Sequence, residues 1–438
     1  MSSSAGEGAG GQVAGGAGGP LAGGAGGVAG GAGGPLAGGA GGAGGVAGGA
    51  GGPLAGSQVA GGVLAELAGH RHVVICAGPG GVGKTTTAAA IALEGARMGR
   101  RACVVTIDPA KRLADALGLE SLTNDAHRVD IGSVVAPDDG GAGGRPETRA
   151  GELWALMLDT KTTFDSVVRR NAGSDEQAQA ILDNRLYRNI SGALGGTQEY
   201  MSMEKLYELH SQGHFDLVVV DTPPTRHALD FLDAPGRLLR FLNNRIFRLL
   251  MAPTRASLRA IGMATQMFLR TLSRVVGGAV VSDAIAFFEA FEGMEQGFRD
   301  RAARVEQLLG DPGTAFVVVA APRRDAVVEA VYFADRLRES TGRVEALVAN
   351  RMFPSFGPVP PALRDAAPGS GPLAALALNL EEFDRVATRE EVHLESLTER
   401  LPGTPIVRVP FLSTDVHDLH GLDEVGRWLF GRAAPAGR

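Results

Sequence analysis

Few folds accommodate residues 73–99, in which an apolar run, a glycine-rich turn and a helix of small residues follow one another directly. The run VVIC predicts a short buried strand, and KTTTAAAIALEGAR predicts a helix. Between them the turn GPGGVGKT matches the pattern G-x4-G-K-T, which binds phosphate when a strand precedes it and a helix follows it. The segment therefore predicts a phosphate-binding loop (P-loop) at the end of a parallel strand.

The chemistry of this turn predicts ATP and Mg2+ as cofactors. Its glycines let backbone N–H groups surround phosphate oxygens, and the helix N-terminus adds a partial positive charge. Lys84 can reach the β and γ phosphates, and the Thr85 hydroxyl can ligate Mg2+. The predicted nucleotide-binding residues of the turn are Gly78, Gly80, Gly81, Val82, Gly83, Lys84, Thr85 and Thr86.

Further strands are predicted by four more apolar runs, at residues 102–107, 217–220, 315–320 and 344–349. Segments long enough for crossover helices separate the runs, so the strands should be parallel. A parallel sheet is covered on both faces. We therefore expect an α/β fold of the P-loop nucleoside triphosphatase type, with helices on both faces of the sheet.

Two gaps between the runs are far longer than a simple crossover requires. The sequences GELWALMLDTKTTFDSVVRR and TQEYMSMEKLYELH and the segment 235–304 predict helices. We therefore expect one P-loop domain over residues 63–435, with helical insertions at about 126–213 and 230–310 that form a helical subdomain.

The first 62 residues differ in composition from the rest, since they hold 29 of the 65 glycines and a single ionisable side chain, Glu7. A segment with so little apolar surface cannot offset the loss of backbone entropy on folding. Its glycines keep no strict three-residue period, which excludes a collagen helix. We expect a disordered Gly/Ala-rich tail over residues 1–62; the alternative is a start codon assigned too far upstream.

Charge and cysteine content exclude several classes of function. The net charge of −6 argues against general nucleic-acid binding, which requires a positive field. Two cysteines without a CxxC pair exclude a cysteine-based structural zinc site and fit a reducing compartment. The start of the chain has no signal-peptide pattern, and no run reaches the roughly 18 apolar residues of a membrane span. The sequence thus predicts a cytoplasmic protein without nucleic-acid or zinc partners.

Two aspartates end predicted strands, at the edge of the sheet where α/β folds bind ligands. Asp221 closes the run LVVVD. In P-loop folds a carboxylate at the end of such a strand holds a Mg2+-bound water. The alternative is that Asp221 only caps a turn. Asp108 closes the run VVTID. It could orient or deprotonate an attacking water, or it could only cap the following helix.

Several motifs together resemble one family. The segments GGVGKTT, TIDPAKRLADAL, DTPPTRHALDFL, VAN and VPFLSTDVHDLHGLDEV follow one another between about residues 72 and 432. In this order they are similar to the arsenite-pump and tail-anchored-protein-targeting ATPases, the anion-transporting ATPase family. The segments GELWALMLDTK and GTQEYMSMEKL look most like a bacterial branch of it. The resemblance implies a Mg2+-dependent ATPase that works as a dimer, with nucleotide near the subunit interface.

The resemblance also implies roles for single residues. Asp108 would position the attacking water, and Asp221 would lie on the Mg2+ side. His227 would relay the nucleotide state toward the helical subdomain. The residues implied to contact adenine are Asn350, Pro410 and Phe411.

The sequence departs from the family pattern near the expected γ-phosphate. Pro79 stands where the family has a lysine that acts across the dimer, so that cation is missing. Arg226 follows five residues after Asp221 and is the first candidate for a replacement catalytic cation, because its planar guanidinium suits phosphate oxygens. Arg112 is the second candidate. The alternative is that both arginines only bind solvent or nearby carboxylates.

Residues 237–250 predict a basic amphipathic helix, with arginines on one side and leucines opposite. No acidic residue occurs between Asp233 and Asp283. Such a face fits docking to an anionic membrane surface or to a membrane-protein client. A solvated face over an ordinary core is the alternative.

Three hypotheses of function follow. The first is an enzyme that hydrolyses ATP and couples its nucleotide state to handling a membrane-directed or apolar client, at times peripheral to a membrane. The second, suggested by Pro79, is a weakly active or non-catalytic subunit that regulates a paralogous ATPase, in a heterodimer rather than a homodimer. The third, a partitioning-type ATPase, is disfavoured by the motifs that follow Asp108 and Asp221.

Overall fold

A computed structural model of the protein describes residues 55–108, 112–134, 151–185, 187–188, 197–223, 233–240, 243, 278–340, 343–357, 359–361, 364 and 371–432. All of them belong to one of the two units of the chain, Gly51–Arg438.

Eight strands form a single sheet in the order β3-β4-β2-β5-β1-β6-β7-β8. The strands are β1 (Val73–Ala77), β2 (Arg101–Thr106), β3 (His127–Val129), β4 (Glu152–Met157), β5 (Leu217–Asp221), β6 (Thr314–Ala320), β7 (Ala346–Met352) and β8 (Ile406–Pro410). Neighbouring strands run parallel, except that β3 is antiparallel to β4. The central position of β1 follows from its continuous apolar run, since a strand with neighbours on both sides and helices on both faces has no exposed face.

The described helices cover both faces of this sheet. They are α1 (Ala55–His70), α2 (Lys84–Arg97), α3 (Arg112–Ala116), α4 (Thr160–Asn171), α5 (Asp175–Leu182), α6 (Thr197–Ser211), α7 (Gly278–Phe291), α8 (Glu295–Gly310), α9 (Arg324–Ser340), α10 (Pro372–Arg400) and α11 (Leu419–Phe430). None of these helices combines the length and apolar character needed to span a membrane.

The core is divided by the sheet into two apolar layers. Successive residues of β1 point to opposite faces: Val74 and Cys76 pack with α1, α2 and α11, whereas Val73 and Ile75 pack with α6, α8, α9 and α10. The three-layer α/β fold expected from the sequence is thereby confirmed.

The five predicted apolar runs all form strands, but the prediction of a helix over GELWALM is wrong. Residues 152–157 form β4, which pairs in parallel with β2 so that Trp154 lies opposite Cys103. Leu, Ala and Met favour helices, yet that intrinsic preference is weak and pairing with an open sheet edge overrides it. In its described residues, the expected first insertion at 126–213 therefore begins with the strands β3 and β4, and its first described helix starts at Thr160.

A third apolar cluster lies among the helices that follow β4 and precede β6. Its buried members include Val167, Ile181, Tyr200, Phe291 and Phe298. These residues bring α4, α5, α6, α7 and α8 together apart from the two layers on the sheet. We propose that this cluster is the core of the helical subdomain. Within the predicted second insertion, residues 230–232, 241–242 and 244–277 lie outside the described residues, and with them most of the basic helix after residue 240.

The predicted boundary of the tail, at residue 62, falls inside α1. This helix begins at Ala55, and its residues Leu64 and Leu67 are buried in the layer shared with α11. The backbone of α1 approaches the end of α11 closely, since a Cβ atom on Gly61 would lie 2.9 Å from the carbonyl carbon of Phe430. The small residues near residue 62 thus permit close packing of α1 against α11. In the sequence they look like a continuation of the glycine-rich repeats, so the predicted tail extends into the helix.

Two adjacent glycines of α1 provide a test of this packing. A Cβ atom on Gly62 would meet nothing within 4 Å, so Gly62→Ala should stabilise the protein by up to about 1 kcal/mol through the lower backbone entropy of the unfolded chain. Gly61→Ala should instead destabilise it by about 1–3 kcal/mol, because α1 must move away from α11. Thermal denaturation of both variants measures the difference. Equal effects of the two substitutions would contradict the docking of α1.

Candidate functional site

Two glycines of the turn between β1 and α2 lie too close to other backbone or side-chain atoms to carry a side chain. Gly78 has φ 152°, and a Cβ atom there would overlap the carbonyl oxygen of Val319 in β6. Gly83 has φ 96°, and a Cβ atom there would overlap the side-chain amide of Asn350 in β7. The turn is thus held against β6, which neighbours β1, and against β7, the next strand in the sheet, and only glycine fits at these positions.

Lys84 is the first residue of α2 and is buried beneath the turn. Its Nζ donates a hydrogen bond of 2.8 Å to the carbonyl oxygen of Pro79. Burial lowers the pKa of this ammonium group, and the nearby carboxylate of Asp221 acts in the opposite direction. The lysine therefore places a positive charge inside the curve of the turn, where phosphate oxygens would replace a carbonyl as its acceptor.

Asp221 ends β5 directly beside the turn, with 1% of its surface exposed. Its Oδ2 accepts hydrogen bonds from the hydroxyl groups of Thr85, at 2.6 Å, and Thr106, at 2.9 Å. Its Oδ1 is buried without a hydrogen-bond partner among the described residues. Burial raises the pKa of this carboxyl group. A buried acceptor that lacks a donor, next to a threonine hydroxyl, fits a water molecule bound to Mg2+.

No metal ion could be held at this place by acidic and histidine side chains alone. The described part of the chain contains no group of three or more His, Cys, Asp or Glu residues with suitable spacing. A Mg2+ ion here would depend on the Thr85 hydroxyl, water and phosphate oxygens, which is the usual ligand set of Mg2+ in phosphate sites.

Asp108 follows β2 and lies at the same edge of the sheet as Asp221. Its backbone N–H donates to the Thr106 hydroxyl at 3.2 Å, and its carboxylate lies 3.5 Å from the guanidinium of Arg112. The arginine side chain is 63% exposed and reaches the same cleft. Both side chains are partly open to solvent, unlike Lys84 and Asp221, which are buried.

The predicted residues surround a cleft of about 450 Å³. Its lining includes Gly80, Gly81, Gly83, Lys84, Thr85, Thr86, Asp108, Asp221, Asn350, Pro410 and Phe411. The predicted Gly78 and Val82 belong to the turn without lining the cleft, and Arg226 and His227 lie outside the described residues. The cleft therefore unites the residues predicted to bind phosphate with those predicted to bind adenine.

The far side of the cleft is formed by β7 and β8. Asn350 lies inside β7 rather than just beyond it, because the strand continues to Met352. Phe411 directly follows β8, is 60% exposed, and stacks on Phe353 with ring centroids 6.5 Å apart. This side presents one amide and aromatic surface, which suits a heterocyclic base.

Thr106 and Arg351 are among the residues at the site that were not predicted from the sequence. Thr106 could have been noticed, since it precedes Asp108 by two residues in a strand that ends at the same edge. Arg351 has no such signal, because its contact with the Gly81 carbonyl joins segments 270 residues apart.

A parallel sheet whose central strand leads through G-x4-G-K-T into a helix, with a carboxylate at the end of the neighbouring strand, defines the P-loop nucleoside triphosphatase class. Within that class, residues 71–357 match the anion-transporting ATPase family. The chain belongs to this family, as its motifs suggested.

Three relatives illustrate the spread of the family. An uncharacterized protein of Streptomyces coelicolor is 30% identical over 321 residues, which cover 71% of this chain and 68% of that protein. The ATPase GET3 of Malassezia globosa is 24% identical, with 64% of this chain and 72% of that protein covered. The ATPase GET3B of Arabidopsis thaliana is 26% identical, with 65% of each chain covered. Membership of the family and the two relatives named as ATPases support an ATPase-type function in general.

Proposed function

We propose that this protein binds Mg2+ and ATP in the cleft and hydrolyses the nucleotide. The observation that carries the proposal is the convergence of Lys84, Thr85, Asp108 and Asp221 on one cleft at the carboxyl edge of the sheet. Phosphoryl transfer requires phosphate binding, metal binding and placement of the attacking water, and these four side chains offer a candidate for each of the three tasks.

Each residue has one task in the proposed reaction. The amides of the turn and Lys84 bind the phosphates, while the Thr85 hydroxyl and, through water, Asp221 hold Mg2+. When bound, Mg2+ neutralises charge on the phosphate oxygens. Asp108 orients the attacking water and accepts its proton. The adenine side is formed by Asn350, Pro410 and Phe411.

We further propose that hydrolysis drives a dimeric switch that handles a membrane-directed or apolar client. Two relatives are named as GET3-type ATPases, and the helical cluster beside the sheet supplies a second layer that a client could contact. Residues 233–240 are helical, with Arg237 and Arg240 exposed and Leu238 and Leu239 against the helical cluster. This arrangement supports a basic outward face at the start of segment 237–250, suited to an anionic membrane surface or an acidic partner.

A regulatory, weakly active subunit is the second candidate, and one observation favours it. Pro79 contributes only a carbonyl group to the turn, in hydrogen bond to Lys84, so position 79 adds no charge to the phosphate site. A heterodimer with a paralogous ATPase would then supply the faster turnover.

Replacing Lys84 tests the proposed site. Lys84→Ala should abolish ATP binding or lower kcat at least about a hundredfold, because the phosphates lose the buried positive charge that the Lys84 ammonium group supplies. The protein should stay folded, since the side chain contacts the turn rather than either apolar layer. Calorimetric ATP binding and phosphate release measure both effects, with Lys161→Ala as a control on an exposed surface lysine. Retained Mg2+-dependent ATP affinity in folded Lys84→Ala protein would reject the proposal.

Replacing two arginines tests how the site compensates for Pro79. Charge spreads over the γ-phosphate oxygens in the transition state, and a cation supplied there can raise the rate by about 10³-fold or more. If Arg226 supplies it, Arg226→Ala should lower kcat at least about tenfold with little change in ATP affinity. Arg112→Ala should do so if the arginine that pairs with Asp108 is the source.

Steady-state kinetics of both variants, with ATP binding measured in parallel, separate these possibilities. Unchanged kcat in both variants would show that the cation comes from a partner subunit, or that the switch turns over slowly without one. A loss of affinity alongside kcat would assign the arginine to ground-state binding instead.

A further inference from the structure

Two consecutive side chains of β7 bind two consecutive carbonyl groups of the glycine-rich turn. The Nδ2 of Asn350 donates to the carbonyl oxygen of Val82 at 2.8 Å, and Nη1 of Arg351 donates to that of Gly81 at 3.0 Å. The turn is therefore held from outside by a strand that lies two places away from β1 in the sheet. We call this pair of residues the β7 brace.

The backbone of β7 is distorted where the brace forms. Asn350 pairs with Val409 and Met352 with Pro410, so Arg351 is an extra residue in β7 and forms a bulge. Among the non-glycine residues that the structure describes, Arg351 alone has a positive φ, of 63°. Its N–H donates to the Oδ1 of Asn350 at 3.0 Å, which fixes the orientation of that amide. Non-glycine residues adopt this conformation at an energetic cost and are concentrated at ligand clamps and active sites.

Holding the carbonyl groups also orients the amides of the turn. In a trans peptide the C=O and the N–H of the next residue point in opposite directions. Because the brace holds the carbonyls of Gly81 and Val82, the N–H groups of Val82 and Gly83 point away from the brace. Those amides belong to the phosphate-binding pattern, so the same contact that fixes the outside of the turn presets its inner surface.

The charge of Arg351 strengthens this effect. A guanidinium bound to a carbonyl oxygen polarises the whole peptide group, which makes the N–H on its other side a better donor. The arginine is exposed and lines the cleft, so its charge also makes the electrostatic potential in the cleft more positive, which attracts anions.

We propose that the β7 brace preorganises the turn for the phosphates of nucleoside di- and triphosphates, with Arg351 as a positioning residue. This inference rests on the proposed nucleotide-binding function and adds a physical link between the adenine side and the phosphate side of the cleft. A strand that carries a predicted adenine contact, Asn350, also sets the geometry of the phosphate cradle.

The test replaces Arg351 in two ways. Arg351→Gly removes the guanidinium but keeps a residue that adopts positive φ without cost, so the melting temperature without nucleotide should be unchanged or higher. Mg2+-ATP and ADP should bind at least about tenfold more weakly. Arg351→Lys restores a charged donor and should bind ATP within about threefold of the wild-type protein. Arg385→Ala, on the exposed side of α10, is the control.

Hydrogen exchange without nucleotide provides a second readout. The amides of residues 80–83 should exchange at least about tenfold faster in Arg351→Gly, with the amides of the sheet unchanged. Wild-type affinity and wild-type exchange in this variant would overturn the brace, as would a loss of affinity that follows only from a lower melting temperature. If the wild-type protein binds neither ATP nor ADP, the proposed function fails, and the exchange rates still decide whether the brace holds the turn.

Discussion

The close approach of the β6 backbone and of one β7 side chain to the glycine-rich turn is the constraint on which the rest of the structure depends. Gly78 passes against the Val319 carbonyl of β6, and Gly83 passes against the Asn350 amide of β7. Because the turn leaves β1 at the centre of the sheet, α2 must pack directly on the sheet. The alanines and Gly95 of α2 allow the helix and the sheet to come this close. At Gly95 a Cβ atom would lie 2.6 Å from the Leu217 side chain of β5. The run of alanines in α2 is thus a packing requirement of the site as much as a helix preference.

Burial acts on the two central charges of the site in opposite ways. It lowers the pKa of Lys84 and raises that of Asp221, so each group is held in a place that disfavours its charged form. Mutual attraction offsets part of this cost, and the Thr85 and Thr106 hydroxyls offset more at Asp221. One carboxylate oxygen still lacks a donor among the described residues. The protein stabilises these charges only partly, which leaves them available to phosphate and to a metal-bound water.

The sequence could predict the parts of the fold and site that rest on local pattern. The strands beside β1 are continuous apolar runs, and Asp108 and Asp221 were recognisable because each ends such a run. The outer strands β3, β4 and β8 escaped prediction because they lie toward the edges of the sheet, are partly exposed and depend on pairing between distant segments. The role of Arg351 could not be predicted for the same reason. It depends on a β-bulge in the pairing of β7 with β8 and on a positive φ, and no local sequence pattern encodes either.

The order of the strands divides the tasks of the cleft between two halves of the sheet. On one side of β1, strands β5 and β2 lead to Asp221 and Asp108; on the other, β7 and β8 lead to Asn350 and to the aromatic surface at Phe411. A ligand in the cleft must therefore bridge both halves, as expected at the carboxyl edge of a parallel sheet. The chain leaves the first half at Asp221, and residues 233–240 are helical, with Ala234 buried in the third apolar cluster. Eleven residues of the chain lie between that carboxylate and the helical stretch, so the covalent connection from the phosphate side of the cleft to the third apolar cluster is short.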